Sequence, residues 1–158
     1  AAVSGIELKF RAILDTVQDG HKAEIAFRRK DYAEAEKLLR RVIATNPDDT
    51  AALTMLAQCL LESNPQVNSD EVQQICAQIM QATEDNDRAI VMMGLALKAK
   101  SDPVRARQCF KRALEINPNN VEASRELRLA EARLLQRKEE RAAQQSPIAG
   151  FFNKLLKK

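Results

Sequence analysis

The sequence predicts an all-α protein, and two features of its composition carry the prediction. Gly and Pro number only 4 and 5 among 158 residues, whereas a β-sandwich or barrel needs a turn roughly every 8–12 residues. Aromatic residues make up 4% and Trp is absent, although strands favour aromatic and β-branched residues. The 45% hydrophobic content argues against disorder, and no apolar run approaches the length of about 18 residues needed to cross a bilayer. We therefore expect one soluble helical domain.

An internal repeat organises the chain. The similar runs YAEAEKLLRRVIATNPDD and PVRARQCFKRALEINPNN end at Asn46-Pro47 and Asn117-Pro118, 71 residues apart. That spacing fits one unit of 34 residues and one of 37, with the three extra residues expected in a loop around 64–68. The predicted units are 16–49, 50–86 and 87–120.

Each unit is predicted to contain two helices, A and B, separated by a short break. Asp31 to Glu34 has the spacing of a capping box before the first helix B, and Asp102-Pro103 supplies a cap and a first helical residue in the third unit. Helix A carries a small residue in every unit, which allows close packing against helix B. These small residues are Ala23, Ala57 and Gly94. Apolar residues recur at i, i+4 and i+7 of helix B, as Ala35, Leu39 and Val42; Val72, Cys76 and Ile79; and Ala106, Phe110 and Ala113.

These recurring positions resemble the tetratricopeptide repeat, a unit of 34 residues with small, large and closing Pro positions. The third unit matches through Gly94, Ala106, Phe110, Ala113 and Pro118. The first unit matches mainly in helix B, and the second has Ala57 in place of Gly and Glu84 in place of Pro. The resemblance covers about residues 16–133 and implies a right-handed α-solenoid of about three helix pairs.

The ends of the array are expected to be capped, because a single helix pair cannot bury both of its faces. Residues 1–18 include an amphipathic segment whose apolar face is Ile6, Phe10, Ile13, Leu14 and Val17. A turn at Gly20 favours a separate helix packed on the first repeat; insertion into the groove and exchange between two copies are the alternatives. Residues 121–145 are expected to form a solvating cap helix, with Val121, Leu127 and Ala130 covering the third unit. Its charged residues, such as Arg125, Arg128 and Arg133, are expected to face water.

The residues that catalysis or metal binding would need are sparse, so the sequence predicts a binding protein without enzymatic activity, cofactor or metal. His21 is the one histidine, and the four glycines are too scattered to cradle a phosphate. The three cysteines, Cys59, Cys76 and Cys109, lie in apolar helical runs, which favours buried thiols in a reducing, cytoplasmic setting. Because the chain begins at Ala1 rather than Met, the sequence leaves room for an upstream domain.

The family resemblance implies a partner-binding groove lined by the A helices. The matching positions of this sequence are Phe27, Met55, Gln58, Leu61, Arg88, Val91, Met92, Leu95, Lys98 and Leu129, with Glu24, Arg28 and Thr54 beside them. Members that clamp a peptide carboxylate use Lys, Asn and Arg at positions where this chain has Gly20, Glu24, Met55, Arg88 and Met92. Only Arg88 suits that clamp, so we expect an amphipathic helix or peptide in an apolar groove. The alternative for each apolar residue is ordinary core between helices.

Positive charge concentrates at the C-terminal end. Residues 121–158 hold 9 Lys or Arg against 5 Glu. Glu residues interleave with the cations of 125–141 and no aromatic residue lies there, which argues against nucleic acid as partner.

After Ser146-Pro147 the tail of 146–158 is expected to form a basic amphipathic helix, with Phe151, Phe152, Leu155 and Leu156 on one face. Docking to a protein or to a neighbouring copy is favoured; contact with a membrane surface or with the chain's own cap helix are the alternatives. The sequence thus predicts a scaffold for protein–protein interaction, with a peripheral membrane adaptor or a self-assembling protein as the other candidates.

Overall fold

The computed structural model describes residues 4–144, and all of its regular elements are α-helices, which confirms the predicted all-α class. The helices, in chain order, are α1 (Gly5–Arg28), α2 (Tyr32–Thr45), α3 (Thr50–Ser63), α4 (Pro65–Ala82), α5 (Asp87–Ala99), α6 (Pro103–Ile116) and α7 (Val121–Gln144). Each helix packs against the next in the chain, and α3 also contacts α5. The described chain is therefore a solenoid of three helix pairs followed by α7.

Side chains of Ser, Asp and Asn cap the starts of the helices. Ser4 and Glu7 form a reciprocal capping box at α1. An Asp or Asn oxygen then accepts the backbone N–H three residues further on at Asp31, Asp49, Asn64, Asn86, Asp102 and Asn120. Such caps pair N–H groups that a helix start leaves without an intrahelical partner. The short breaks between the helices thus follow from local sequence.

Only one of the two hydrogen bonds of the capping box predicted at Asp31 forms. The Asp31 carboxylate accepts the N–H of Glu34, but the Asp31 N–H donates to the carbonyl of Ala26. This second bond closes the C-terminus of α1, where Lys30 adopts a φ of 63°. The same turn recurs after α5, where Ser101 also has a φ of 63° and Asp102 donates to Leu97. The Asp31 N–H is therefore used by the preceding helix and cannot bind Glu34.

Two expectations about helix boundaries are wrong. The turn expected at Gly20 does not form, because α1 runs unbroken from Gly5 to Arg28 and no glycine of the described residues has a positive φ. A glycine inside a helix costs about 1 kcal/mol relative to alanine, too little to interrupt a helix of 24 residues. The extra residues of the second unit do not form a loop either. Asn64 caps α4 directly and Pro65 is its first residue, so they lengthen α4 to 18 residues.

Two hydrophobic cores run through the array, and α5 belongs to both. Ala89, Met92 and Ala96 of α5 pack into the core shared with α1 to α4. Ile90, Val91 and Leu97 pack into the second core, with Phe110 of α6 and Ala123 of α7. Because α5 closes one core and opens the next, it is the helix that joins the first two pairs to the C-terminal part.

The contact between α5 and α6 depends on Gly94. A Cβ placed on Gly94 would lie 2.6 Å from Cε1 of Phe110 and 3.1 Å from Cβ of Cys109. Phe110 is 1% exposed, so its ring has no solvent-filled space into which to move. Gly20, in contrast, has no neighbouring atom within 4 Å of an added Cβ. The two glycines thus share a helical setting and differ only in the packing around them.

We expect Gly94→Ala to destabilise the fold by about 1–2 kcal/mol, because the cost of overpacking exceeds the gain in helix propensity. Gly20→Ala is the matched control and should stabilise it by roughly 0.5–1 kcal/mol. Urea unfolding followed by circular dichroism measures both changes. Equal effects of the two substitutions would show that the Gly94–Phe110 contact has no energetic weight.

The three cysteines occupy the interior to different degrees. Cys59 and Cys76 are fully buried and Cys109 is half-buried. Burial raises the pKa of the Cys59 thiol to about 11 and that of Cys76 to about 12, from an ordinary value of 9.0. In the unfolded chain these thiols ionise at lower pH than in the folded one, so their contribution to stability is complete below about pH 9 and declines above it.

The midpoint of urea unfolding should accordingly fall between about pH 7.5 and pH 10, since only the unfolded state gains thiolate there. In a Cys76→Ala variant the drop over the same pH interval should be smaller, whatever the variant's absolute stability. A drop of the same size in both proteins would assign the pH dependence to other groups.

Candidate functional site

The predicted groove residues lie on the A helices α1, α3 and α5 and on α7, but they differ in exposure. Phe27, Met55, Gln58, Leu61, Leu95 and Lys98 are half-buried, and Arg88 and Leu129 are exposed. Val91 and Met92 are 1% and 3% exposed and lie in the two cores. Helix α5 packs against α3, α4 and α6, so most of its circumference is interior. These two residues therefore offer almost no surface to a partner.

A depression of about 480 Å³ lies between α3, α5 and α7, and the first residues of α4 also line it. Of the predicted residues it brings together Leu61, Leu95 and Lys98. Its other lining residues, which the repeat register did not single out, are Glu62, Pro65, Gln66, Ala99, Ser101, Glu122 and Arg125. Several of these lining residues directly follow the C-terminal end of an A helix. Their position about one helical turn after the predicted groove residues is the sequence signal that could have identified them. The apolar lining residues of the depression, Leu61, Pro65, Leu95 and Ala99, are here called the floor, and its charged ones, Glu62, Lys98, Glu122 and Arg125, are here called the rim.

Other predicted groove residues lie along the A helices between the depression and α1. Phe27 meets Tyr32 edge to face, with ring centroids 5.7 Å apart and an interplanar angle of 64°. Phe27 and Met55 both pack partly against the first core. Glu24 accepts a hydrogen bond from Arg28 one turn along α1. This end of the row is therefore half-filled by its own side chains, in contrast to the open depression at Leu61 and Leu95.

Glu126 is a buried charged residue beside the predicted groove, and the sequence interpretation missed its burial. It is 5% exposed rather than facing water, and its Oε2 accepts a hydrogen bond of 2.5 Å from Nζ of Lys98. Arg125 also donates to Glu126, at 3.3 Å. The position of Glu126 three residues after the buried Ala123 puts it on the packed face of α7, and this spacing was the available signal. The Lys98–Glu126 pair holds α7 against α5 at the edge of the depression.

A second polar contact fixes the start of α5 beside Arg88. The Asp87 carboxylate accepts hydrogen bonds from the side-chain amides of Asn117 and Asn120, at 2.8 and 2.7 Å. These hydrogen bonds, the one from Asn120 first, lower the pKa of Asp87. Asn117 directly follows α6 and Asn120 directly precedes α7. The Asp87 carboxylate therefore binds both ends of the turn that connects these two helices.

A crevice of about 500 Å³ separates α6 from α7 and reaches Lys98. Leu129 of the predicted row lies in this crevice rather than in the depression. Val104, Phe110 and Leu134 supply further apolar lining. Lys98 lines both spaces, so its ion pair with Glu126 stands between them.

Two further expectations concern the C-terminal end. Val121 does not cover the third unit, because it is 80% exposed. Leu127 packs against the second core as predicted, and Ala123 is buried there as well. The tail residues Phe151, Phe152, Leu155 and Leu156 lie outside the described residues, so their docking stays a prediction.

Comparison with known families identifies the array. Models described as tetratricopeptide repeat match residues 26–90 and 82–120, and together they span more than half of the chain. The chain belongs to the tetratricopeptide repeat family. A comparison with curated protein sequences finds no match. Within residues 4–144, no helix combines the length and the apolar character needed to cross a membrane.

Solved structures show the same tetratricopeptide fold at low sequence identity. The first TPR domain of human RPAP3 is 21% identical with a TM-score of 0.68, and the match covers 78% of this chain and 95% of that one. The second RPAP3 domain, solved with the HSP70 peptide SGPTIEEVD, is 19% identical with a TM-score of 0.66, covering 76% and 98%. A Thermobaculum terrenum O-GlcNAc transferase is 22% identical with a TM-score of 0.67, covering 76% of this chain and 22% of that one.

The Lys98–Glu126 pair of this tetratricopeptide array is testable by a double-mutant cycle. Because Glu126 is buried and Lys98 is 37% exposed, we expect a coupling energy of about 1–2 kcal/mol between Lys98→Met and Glu126→Gln. Urea unfolding of the wild type, both single variants and the double variant measures it. Additive effects would mean that the pair does not hold α7 in place.

Proposed function

We propose that this protein is a scaffold for protein–protein interaction that binds an amphipathic helix or peptide in the groove of its A helices. The observation that carries the proposal is the open depression between α3, α5 and α7. It is large enough for one or two apolar side chains, and its floor includes Leu61, Pro65 and Leu95. Recognition of an amphipathic helix places its apolar side chains against apolar residues of a groove, and these three residues can serve that purpose.

The rim of the depression suits a segment with one apolar face and mixed polar flanks. Glu62 and Glu122 supply negative charge, and Lys98 and Arg125 supply positive charge. Gln66 supplies an amide. A helix that inserts apolar side chains at i and i+3 or i+4 can fill the floor while its polar residues meet these groups. Specificity would come from the rim and affinity mainly from the floor.

A carboxylate clamp is not part of the proposal, although the second RPAP3 domain was solved with the HSP70 peptide SGPTIEEVD. At the positions where clamping members place cations and amides, this chain has a helical Gly20, Glu24 paired with Arg28, and Met55 and Met92 packed on the first core. Arg88 alone is exposed and cationic. We therefore propose recognition of an internal apolar face rather than of a peptide C-terminus.

Binding rather than catalysis is the proposed role of the whole chain. The depression combines apolar residues such as Leu61 and Leu95 with Lys98, which is paired with Glu126, and this combination suits contact with a bound segment. The three free cysteines, of which Cys59 and Cys76 are buried and Cys109 is half-buried, suit a reducing compartment such as the cytoplasm, which we propose as the location.

Peptide selection tests the groove. We expect a library of random 15-residue peptides, displayed on phage and selected on the full chain, to yield peptides with large apolar residues at i, i+3 or i+4 spacing. Leu61→Glu with Leu95→Glu should weaken binding of a selected peptide by more than about tenfold, because both charges enter an apolar floor. Fluorescence anisotropy of the labelled peptide measures the change.

The matched control is Val67→Glu with Ala77→Glu, which places the same two charges on the exposed surface of α4, outside the depression. This control should bind like the wild type, and circular dichroism should show that all variants are folded. Selected peptides that depend on a free acidic C-terminus, or that bind the Leu61/Leu95 variant unchanged, would contradict the proposal.

A further inference from the structure

The N-terminal half of α1 carries large apolar side chains that the described array leaves in solvent. Ile6, Phe10, Ile13 and Val17 are 79%, 64%, 59% and 66% exposed. These four residues, here called the α1 seam, include the most exposed aromatic side chain of the described chain. Exposed apolar rows of this kind usually mark an interaction site.

The α1 seam cannot be covered by the helix that packs on α1. At about 100° per residue, the seam lies within a strip about 60° wide, centred about 140° away from Ala23 and Ala26. Ala23 and Ala26 are the residues of α1 that are buried in the first core. In addition, α1 has 24 residues and α2 only 14, so the start of α1 extends beyond its partner. The seam therefore faces away from the array.

The spacing of the seam is that of a coiled coil. Its residues are separated by four, three and four positions, the a and d pattern of a heptad. Leu14, which is 46% exposed, lies beside Phe10 at the e position of that heptad. The pattern stops where Gly20 occupies the next such position. A seam of Ile, Phe, Ile and Val with this spacing fits another helix that has the same spacing.

The charges beside the seam favour an identical helix over the chain's own basic tail. Glu7 flanks one side and Lys9 the other, so the seam has neutral borders and two copies do not repel each other. The tail brings Lys154, Lys157 and Lys158, for which these borders offer no excess of negative charge. A second copy of α1 instead supplies the matching row of side chains by symmetry.

The array also removes the entropy cost that disfavours so short a coiled coil. An isolated helix of about 12–15 residues is marginal in water, but here the C-terminal half of α1 is fixed by its packing on α2 and by the Asp19–Arg41 ion pair at 2.9 Å. The seam is thus presented on a helix that is already formed.

We propose that two copies of this protein associate through the α1 seam, with the two α1 helices side by side and the groove of each array left open. The interface is a short two-helix coiled coil formed by Ile6, Phe10, Ile13 and Val17 of each copy. It differs in position from the depression between α3, α5 and α7, so dimer formation and peptide binding are separate properties.

Sedimentation equilibrium of the full chain tests the association. We expect a concentration-dependent mass that approaches twice 17.7 kDa, and Phe10→Glu with Ile13→Glu should raise the dimer dissociation constant by at least about 100-fold. Both side chains are exposed in the single chain, so the variant should melt no earlier than the wild type does under monomeric conditions. Leu8→Glu is the matched control, because Leu8 is 58% exposed on the opposite side of the same helix; its dissociation constant should stay within about twofold of the wild type.

A truncated chain lacking residues 147–158 should dimerise like the wild type. The proposal is overturned if the wild type sediments as a single 17.7-kDa species up to roughly 200 μM. It is equally overturned if the Phe10/Ile13 variant dimerises as well as the wild type, or if removal of the tail abolishes association, which would make the tail the occupant.

Discussion

The packing of α5 is the constraint on which the rest of the structure depends. This helix contributes Met92 to one core and Val91 to the next, so it must approach α4 and α6 closely at the same time. Gly94 makes the approach to α6 achievable, because an added Cβ would meet the ring of Phe110 at 2.6 Å. The part of the α5 surface that contacts neither α4 nor α6 stays open. It contributes Leu95 and Ala99 to the floor of the depression.

This constraint explains why the open site is smaller than the repeat register predicts. A position in the register says which helix face a residue occupies, but exposure depends on how far the neighbouring helices wrap around that face. On α5 they enclose Val91 and Met92 and leave Leu95, Lys98 and Ala99 at the edge of the depression. Lys98 is further held by Glu126, so α7 defines the wall of the groove as well as the end of the array.

Features set by neighbours in sequence could be predicted, and features set by neighbours in space could not. The repeat, its Asp102 cap and the class of the fold follow from local pattern and were predicted from it. The burial of Glu126 depends on Lys98, 28 residues away. The half-formed box at Asp31 depends on a carbonyl of the preceding helix, which caps and periodicity do not encode. The groove was therefore predicted as a row of positions, whereas its actual opening required the packing of α5 and α7.

The two ends of the array differ in a way that repeat architecture alone does not require. The terminal helices α1 and α7 have 24 residues each, about 36 Å, and are longer than the 14-residue helices α2 and α6 that pack beside them. Beyond its packed part, α7 continues as RKEERAAQ, in which charges dominate and water is a suitable neighbour. The corresponding part of α1 exposes Ile6, Phe10, Ile13 and Leu14 as an apolar strip. A solenoid end needs only a polar outer face to be soluble, so the apolar strip on α1 is not explained by capping; it is explained if that end serves as an interface.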